Sequence, residues 1–234
     1  MESEQEIGGL LESAGVDQVD YRTAIVNPLV RNEEILYQLN GMSMYSSTNT
    51  EEMWNFVKNM GFENLENRFQ YAGSTEVMDM LLGIRYLFCR NTRTLHTAYK
   101  KIAESQSFDL YENPRALRSG YMVSDSVLDY AMEGTDPLEV QNRLLSGIVG
   151  KRLYKMQTVN SDTALIGNTT FNIHLKKGEH GYLYIPGTEP DTVTINGQEQ
   201  KSDYWNNNFL DLGTYNVDTI VPVSYTHLTL PTNS

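Results

Sequence analysis

The dipeptide Asn196-Gly197 sits directly behind the alternating run Thr192-Val193-Thr194-Ile195. A two-residue hairpin turn of the favoured kind needs positive φ at both central positions, which asparagine and glycine accept more readily than other residues. This signal commits the surrounding chain to antiparallel sheet, and the neighbouring sequence agrees. Phe171-Asn172-Ile173-His174-Leu175 alternates with period two. Lys177-Gly178 and His180-Gly181 mark turns, and Tyr182-Leu183-Tyr184-Ile185 supplies the next strand. Phe209-Leu210-Asp211-Leu212-Gly213 and Val217-Asp218-Thr219-Ile220-Val221 follow. Short strands at this spacing, joined by polar turns, predict an antiparallel β-sandwich over residues 153–221.

Upstream the pattern is different. Tyr21, Thr23, Ile25 and Val26 predict a short strand stopped by Asn27-Pro28. Thr48-Asn49-Thr50-Glu51 fits a capping box, and Met53, Trp54, Phe56, Val57 and Met60 give one apolar helical face that Gly61 ends. A second helix is predicted from Ser74 or Thr75 to Leu82, closed by Gly83. Ile84 to Cys89 reads as a central strand, Phe108 to Glu112 as an edge or half-buried one, and Gly120-Tyr121-Met122-Val123 as a further short strand. Asp136-Pro137-Leu138-Glu139 opens a third helix that Gly147 or Gly150 ends. Residues 2–20 hold six acids and no Lys or Arg, and are expected to be a mobile leader. The predicted fold class is α+β: a mixed α/β subdomain with a helical connector over 21–152, then a truncated β-sandwich.

Charge and residue usage remove several functions. Eighteen basic residues against thirty acidic ones leave a net charge of −12. A general nucleic-acid binder needs a basic surface to replace counterions, so nucleic acid is not an expected partner. The single Cys89 excludes an intramolecular disulfide framework and a thiolate zinc cluster. No stretch reaches the roughly 18 apolar residues of a membrane span, and Met1 to Glu6 carry no basic segment of the signal-peptide kind.

His96, His174, His180 and His227 show no metal-ligand spacing, and no phosphate loop, nucleophile elbow or dinucleotide fingerprint occurs. Catalytic and metal-binding residues are therefore expected to be absent. Tyr204, Trp205 and Asn206, with Asn207 and Asn208, offer ring faces and amides in one loop, the materials of a glycan contact. Arg85, Arg90, Arg93, Lys100 and Lys101 are candidates for a local basic strip.

The order of segments also resembles a known family. Leu39-Asn40-Gly41-Met42-Ser43-Met44-Tyr45-Ser46-Ser47-Thr48, Gly61, Asn67-Arg68, Tyr71, Leu81-Leu82-Gly83-Ile84-Arg85-Tyr86-Leu87 and Leu110-Tyr111-Glu112-Asn113-Pro114 follow one another as in the large extracytoplasmic region of YfhO-type bacterial membrane proteins. Val193 to Gly197 and Leu210 to Gly213 extend the resemblance over roughly residues 21–221. That family is similar to GT-C-type glycosyltransferases that use a polyprenyl-phosphate-linked sugar and decorate cell-surface polymers such as lipoteichoic acid. The resemblance implies a non-catalytic fragment of a multi-span protein on the outer face of the membrane. Its partners would be the transmembrane part of the same protein and a glycopolymer, and no cofactor would be held here. No catalytic residue carries over. The final run, Ser224 to Ser234, resembles translated sequencing-adapter read-through, so residues 222–234 are expected to be a non-native tail. The alternative is a free-standing carbohydrate-binding or adhesion module.

Overall fold

The computed structural model describes residues 2–26, 28–65, 68–72, 74–90, 99–129, 134–157, 159, 163–165, 168–185, 192–200 and 209–226. The chain divides into two compact units, Met1–Leu153 and Tyr154–Ser234.

The first unit runs α1 (Glu2–Ser13), β1 (Arg22–Val26), α2 (Glu33–Leu36), β2 (Met44–Tyr45), α3 (Glu51–Asn59), β3 (Glu63–Leu65), β4 (Arg68–Gln70), α4 (Glu76–Leu81), β5 (Ile84–Arg90), β6 (Lys100–Glu104), β7 (Phe108–Glu112), a 3-10 turn (Asp125–Asp129) and α5 (Pro137–Val149). Its main sheet has the order β1-β5-β7-β6. β1 and β5 are parallel, with Ile25 opposite Phe88 and Val26 opposite Cys89, whereas β5–β7 and β7–β6 are antiparallel. β5 is central, as expected, and is buried on both faces, which fits its apolar and aromatic content. β7 also lies inside the sheet rather than at its edge. Its half-buried alternation reflects one covered face, not a missing neighbour.

The acidic leader is a packed helix, which corrects the expectation of a mobile segment. Ile7 and Leu10 of α1 are buried against Ile25, Leu39, Tyr86, Phe88, Phe108 and Leu110. Phe88 meets Phe108 edge to face at 6.1 Å. Glu6 anchors the helix by accepting from Ser105 Oγ at 2.7 Å, Ser107 N at 3.0 Å and Ser107 Oγ at 3.1 Å. The Ser105 hydroxyl is the main cause of a carboxyl pKa below the ordinary value. Counting charges along 2–20 hid the apolar pair Ile7 and Leu10, one helical turn apart.

The helix termini combine expected and unexpected caps. α3 is capped by Thr50, whose hydroxyl accepts from Met53 N at 3.3 Å, and not by Thr48. The Thr48 hydroxyl instead meets Ser46 Oγ at 2.7 Å in the preceding turn. Asp136 caps α5 by accepting from Leu138 N and Glu139 N, and Gly150 at φ 73° ends it. The reciprocal half of that capping box is replaced, because Glu139 pairs with Arg152. A polar relay joins three helices: Thr75, the cap of α4, donates to Gln141 Oε1 at 3.0 Å, and Gln141 Nε2 donates to Met60 O at 2.7 Å. Residues 120–123 form no strand, and Met122 is fully exposed. Their apolar content matched a strand, but no strand of the main sheet pairs with them.

The second unit contains β8 (Thr163–Leu165), β9 (Asn168–Leu175), β10 (His180–Tyr184), β11 (Thr192–Ile195), β12 (Gln198–Gln200), β13 (Phe209–Thr214) and β14 (Thr219–Thr226). Five strands form an antiparallel sheet in the order β12-β11-β14-β9-β8, and β10 pairs with β13 in a ribbon. His180 and Gly181 belong to β10 rather than to a turn. Asn196 and Gly197 take φ 52° and 74°, the two positive angles that the β11–β12 turn requires. Val193, Ile195, Leu212, Val221 and Val223 form the core, with Ile173, Leu175, Leu183 and Leu210 packed against it. The last strand does not stop at Val221, where the expected tail begins. Pro222 to Thr226 continue in register with Asn172 to Asn168, and Val223 is buried. Helices with several antiparallel sheets make the chain α+β.

Candidate functional site

The carboxyl end of a parallel strand pair is where open α/β sheets place their sites, since the chain there leaves the sheet for loops. β1 ends at Val26 and Pro28 forbids further pairing through its nitrogen. The chain then turns back through Asn32, a non-glycine residue at φ 57°, into the single turn of α2. Gln38, just beyond the helix, is also left-handed at φ 56°. Asn32 is held there by its amide: its Nδ2 donates to Tyr45 O at 3.1 Å and its Oδ1 accepts from Tyr45 N at 2.7 Å.

α2 is inverted. Glu33 and Glu34 are 2% and 1% exposed, whereas Ile35 and Leu36 are 56% and 61% exposed. Glu34 accepts from Ile25 N at 3.0 Å, Ser43 N at 2.8 Å and Ser43 Oγ at 3.0 Å. Burial raises its pKa, and the backbone and hydroxyl donors oppose that rise. Gly41 makes the approach possible, since a Cβ there would lie 2.0 Å from Glu34 Oε2. Glu33 accepts from Leu29 N at 2.8 Å and Tyr37 Oη at 3.2 Å, and pairs with Arg90 at the end of β5. Two buried acids thus staple β1, the 28–32 turn, residue 43 and β5 together.

A shallow concavity lies over this network. Pro28, Val30, Tyr45, Arg68 and Gln70 are among its walls. The Arg31 guanidinium lies 4.4 Å from the Tyr45 ring centroid. A concavity this shallow, lined by a ring, amides and guanidinium groups, suits contact with a surface more than enclosure of a substrate. The glutamate oxygens beneath it are engaged by backbone amides, hydroxyls and the Arg90 guanidinium.

Two other polar clusters occur, the first linked to this network because Tyr71 N donates to Ser43 Oγ at 3.0 Å. Asp79 of α4 is buried and accepts from Ser74 Oγ at 2.5 Å, Tyr99 Oη at 2.6 Å and Tyr71 Oη at 2.8 Å. Desolvation dominates these three bonds and lifts its pKa to about 6. In the second unit His180 joins Thr214 Oγ1 through Nδ1 at 2.8 Å and Asp211 Oδ1 through Nε2 at 2.7 Å. Only the β10–β13 register brings residues 31 positions apart together, and no local spacing in the sequence announces them. Asp211 Oδ1 also accepts from Gly213 N at 2.7 Å, so the group braces the irregular register after Gly181. His174 is exposed on β9.

The residues singled out from sequence fare differently. Tyr204, Trp205 and Asn206 lie outside the described residues, as does Arg93. Three of the four described members of the expected basic strip are paired with acids. Arg85 pairs with Glu112 at 2.6 Å and lies over Tyr21, Arg90 pairs with Glu33, and Lys101 pairs with Glu104 and Asp109. Lys100 is exposed at the start of β6. Sequence reasoning missed Glu33 and Glu34, because nothing in the local sequence marks two adjacent acids as buried; their partners Ile25, Ser43 and Arg90 come together only in the fold. Among the described residues no group of three or more His, Cys, Asp or Glu side chains is placed to hold a metal ion. Among them no helix is long and apolar enough to cross a membrane.

No curated protein and no solved structure is significantly similar to this chain. The family described as bacterial membrane protein YfhO matches residues 15–230, a span that includes the inverted helix, the Asp79 cluster and both sheets of the second unit. On that match the chain belongs to the YfhO family of bacterial membrane proteins.

Proposed function

We propose that this chain is a non-catalytic, extracytoplasmic part of a multi-span membrane protein of glycosyltransferase type. The family match over residues 15–230 is the observation that carries the reading. The full protein would take sugar from a polyprenyl-phosphate carrier in the GT-C manner and transfer it to a cell-surface polymer such as lipoteichoic acid. The chain would stand over the membrane-embedded part of its own protein and guide the acceptor. The engagement of Glu33, Glu34 and Asp79 by structural partners supports a guiding role over a bond-making one. Tyr204, Trp205 and Asn206 are proposed as glycan contacts on the chemistry of their side chains, and Trp205→Ala is expected to weaken binding to a glycan array.

The reading is tested in cells with the full-length protein. A cysteine placed at the fully exposed Met122 (Met122→Cys) is expected to react with a membrane-impermeant maleimide in intact cells, while buried Cys89 stays silent. Labelling only after permeabilisation overturns the outer-face assignment. Deleting the gene is expected to lower the sugar content of the surface polymer, and only the full-length protein should restore it. Restoration by residues 1–234 alone overturns the non-catalytic assignment.

A further inference from the structure

A four-residue helix that buries two glutamates and exposes an isoleucine and a leucine reverses the usual partition of side chains. Local violations of that kind, held in place by specific partners, mark functional surfaces. The partners here are specific: the Glu33 and Glu34 carboxylates are held by Ile25, Leu29, Tyr37, Ser43 and Arg90.

Around this turn apolar side chains face solvent. Leu29, Val30, Ile35 and Leu36 are 52–75% exposed, and Val30, Met44 and Tyr45 line one concavity with Arg31, Asn32, Arg68 and Gln70. The charge pattern points the same way. The protein carries a net charge of −12, yet between residues 28 and 45 its only acids are the two buried glutamates, and Arg31 is the exposed charge. An acidic protein has here turned its carboxylates away from one face. Arg31 stacked on Tyr45 is the kind of pair that sits at a membrane–water boundary, with the ring at headgroup depth and the cation near lipid phosphate.

We infer that the Leu29–Val30 turn, Ile35, Leu36, Met44 and Tyr45 form a lipid-docking face that rests in the headgroup–acyl boundary of the bilayer. The inference uses the family's membrane character and is independent of the glycosyltransferase reading. Docking there would hold the β1–β5 end of the first unit against the membrane surface through apolar contact, with Arg31 contributing attraction to phosphate.

The test is co-sedimentation of the 234-residue chain with phosphatidylethanolamine–phosphatidylglycerol vesicles. Binding is expected, and a Leu29→Ser/Ile35→Ser/Leu36→Ser variant is expected to lower the partition coefficient by at least about tenfold. These side chains are exposed, so far-ultraviolet circular dichroism of the variant is expected to match the parent. Raising the salt should weaken binding only slightly, because apolar contact outweighs a single cation. A Met122→Ser/Leu128→Ser variant, which removes two other strongly exposed apolar side chains of the first unit, should bind like the parent. Failure of the parent chain to bind vesicles overturns the inference. So does loss of binding confined to the Met122/Leu128 variant, or a dimer in sedimentation that the triple variant dissociates without vesicle binding. None of these outcomes bears on the maleimide and polymer-sugar experiments.

Discussion

The two units are stabilised by different means. The first buries Glu33, Glu34, Asp79, Gln141, Asn113 and Asn142 among its apolar side chains and satisfies them with directional bonds. Among the described residues of the second, the buried side chains are aliphatic: Ile185, Val193, Ile195, Leu212, Val221 and Val223. Aliphatic sheet cores tolerate exchange of one shape for a similar one, whereas a buried carboxylate has few substitutes, since its donors have nowhere else to turn. Specific geometry is therefore concentrated in the first unit, where the inverted helix and the Asp79 cluster lie.

The sharpest way to break this contrast is to remove a buried acid. Glu34→Leu leaves Ile25 N, Ser43 N and the Ser43 hydroxyl without their acceptor. The expected loss is about 3–5 kcal/mol in urea titration. Val221→Ala in the second core should cost less, about 2–3 kcal/mol. An equal or reversed order would end the distinction.

Next in size is a pH effect that the second unit should not share. Asp79 has a folded pKa of about 6 against an ordinary 3.8. The folded chain therefore binds this proton more tightly than the unfolded one. The resulting stabilisation is fully present below about pH 4 and is lost as pH rises through about 6. Its size is on the order of 2–3 kcal/mol. Asp79→Asn should flatten the urea midpoint between pH 4.5 and 7.5 relative to the parent. A parent midpoint that rises across this interval, with no change in slope in the variant, would contradict the assignment.

Two smaller effects refine the comparison at the level of turns and caps. Gly197→Ala forces a side chain into φ 74°, where space is open but the backbone is strained. A loss of about 1 kcal/mol, seen as a lower thermal midpoint, is expected. Thr50→Ala should lower stability by about 1 kcal/mol, whereas Thr48→Ala should change it by less, because only Thr50 bonds the helix backbone.

The elements legible in the sequence were those set by local rules. Asn196-Gly197, Asp136-Pro137 with Gly150, and Thr75 with Gly83 each carry their conformation within a few residues. What stayed hidden depends on partners far along the chain. α1 folds because residues 105–110 receive it, and β7 is interior because β6 covers its other edge. Residues 120–123 have strand-like composition and no strand partner in the main sheet. Of the candidate site, the Tyr45 region was noted only as part of a family resemblance. Glu33 and Glu34 look solvent-exposed until Ser43, Gly41 and Arg90 are folded around them.

Glu6 bonds Ser107, 101 positions further along, and Ile7 and Leu10 of the same helix are covered by Phe108 and Leu110. During synthesis, the nascent polypeptide therefore cannot finish covering this apolar pair until the segment bearing Phe108 has emerged. The order of assembly follows from that delay. The core of the first unit closes late, and Ile7 and Leu10 stay partly uncovered for as long as residues 105–110 are missing.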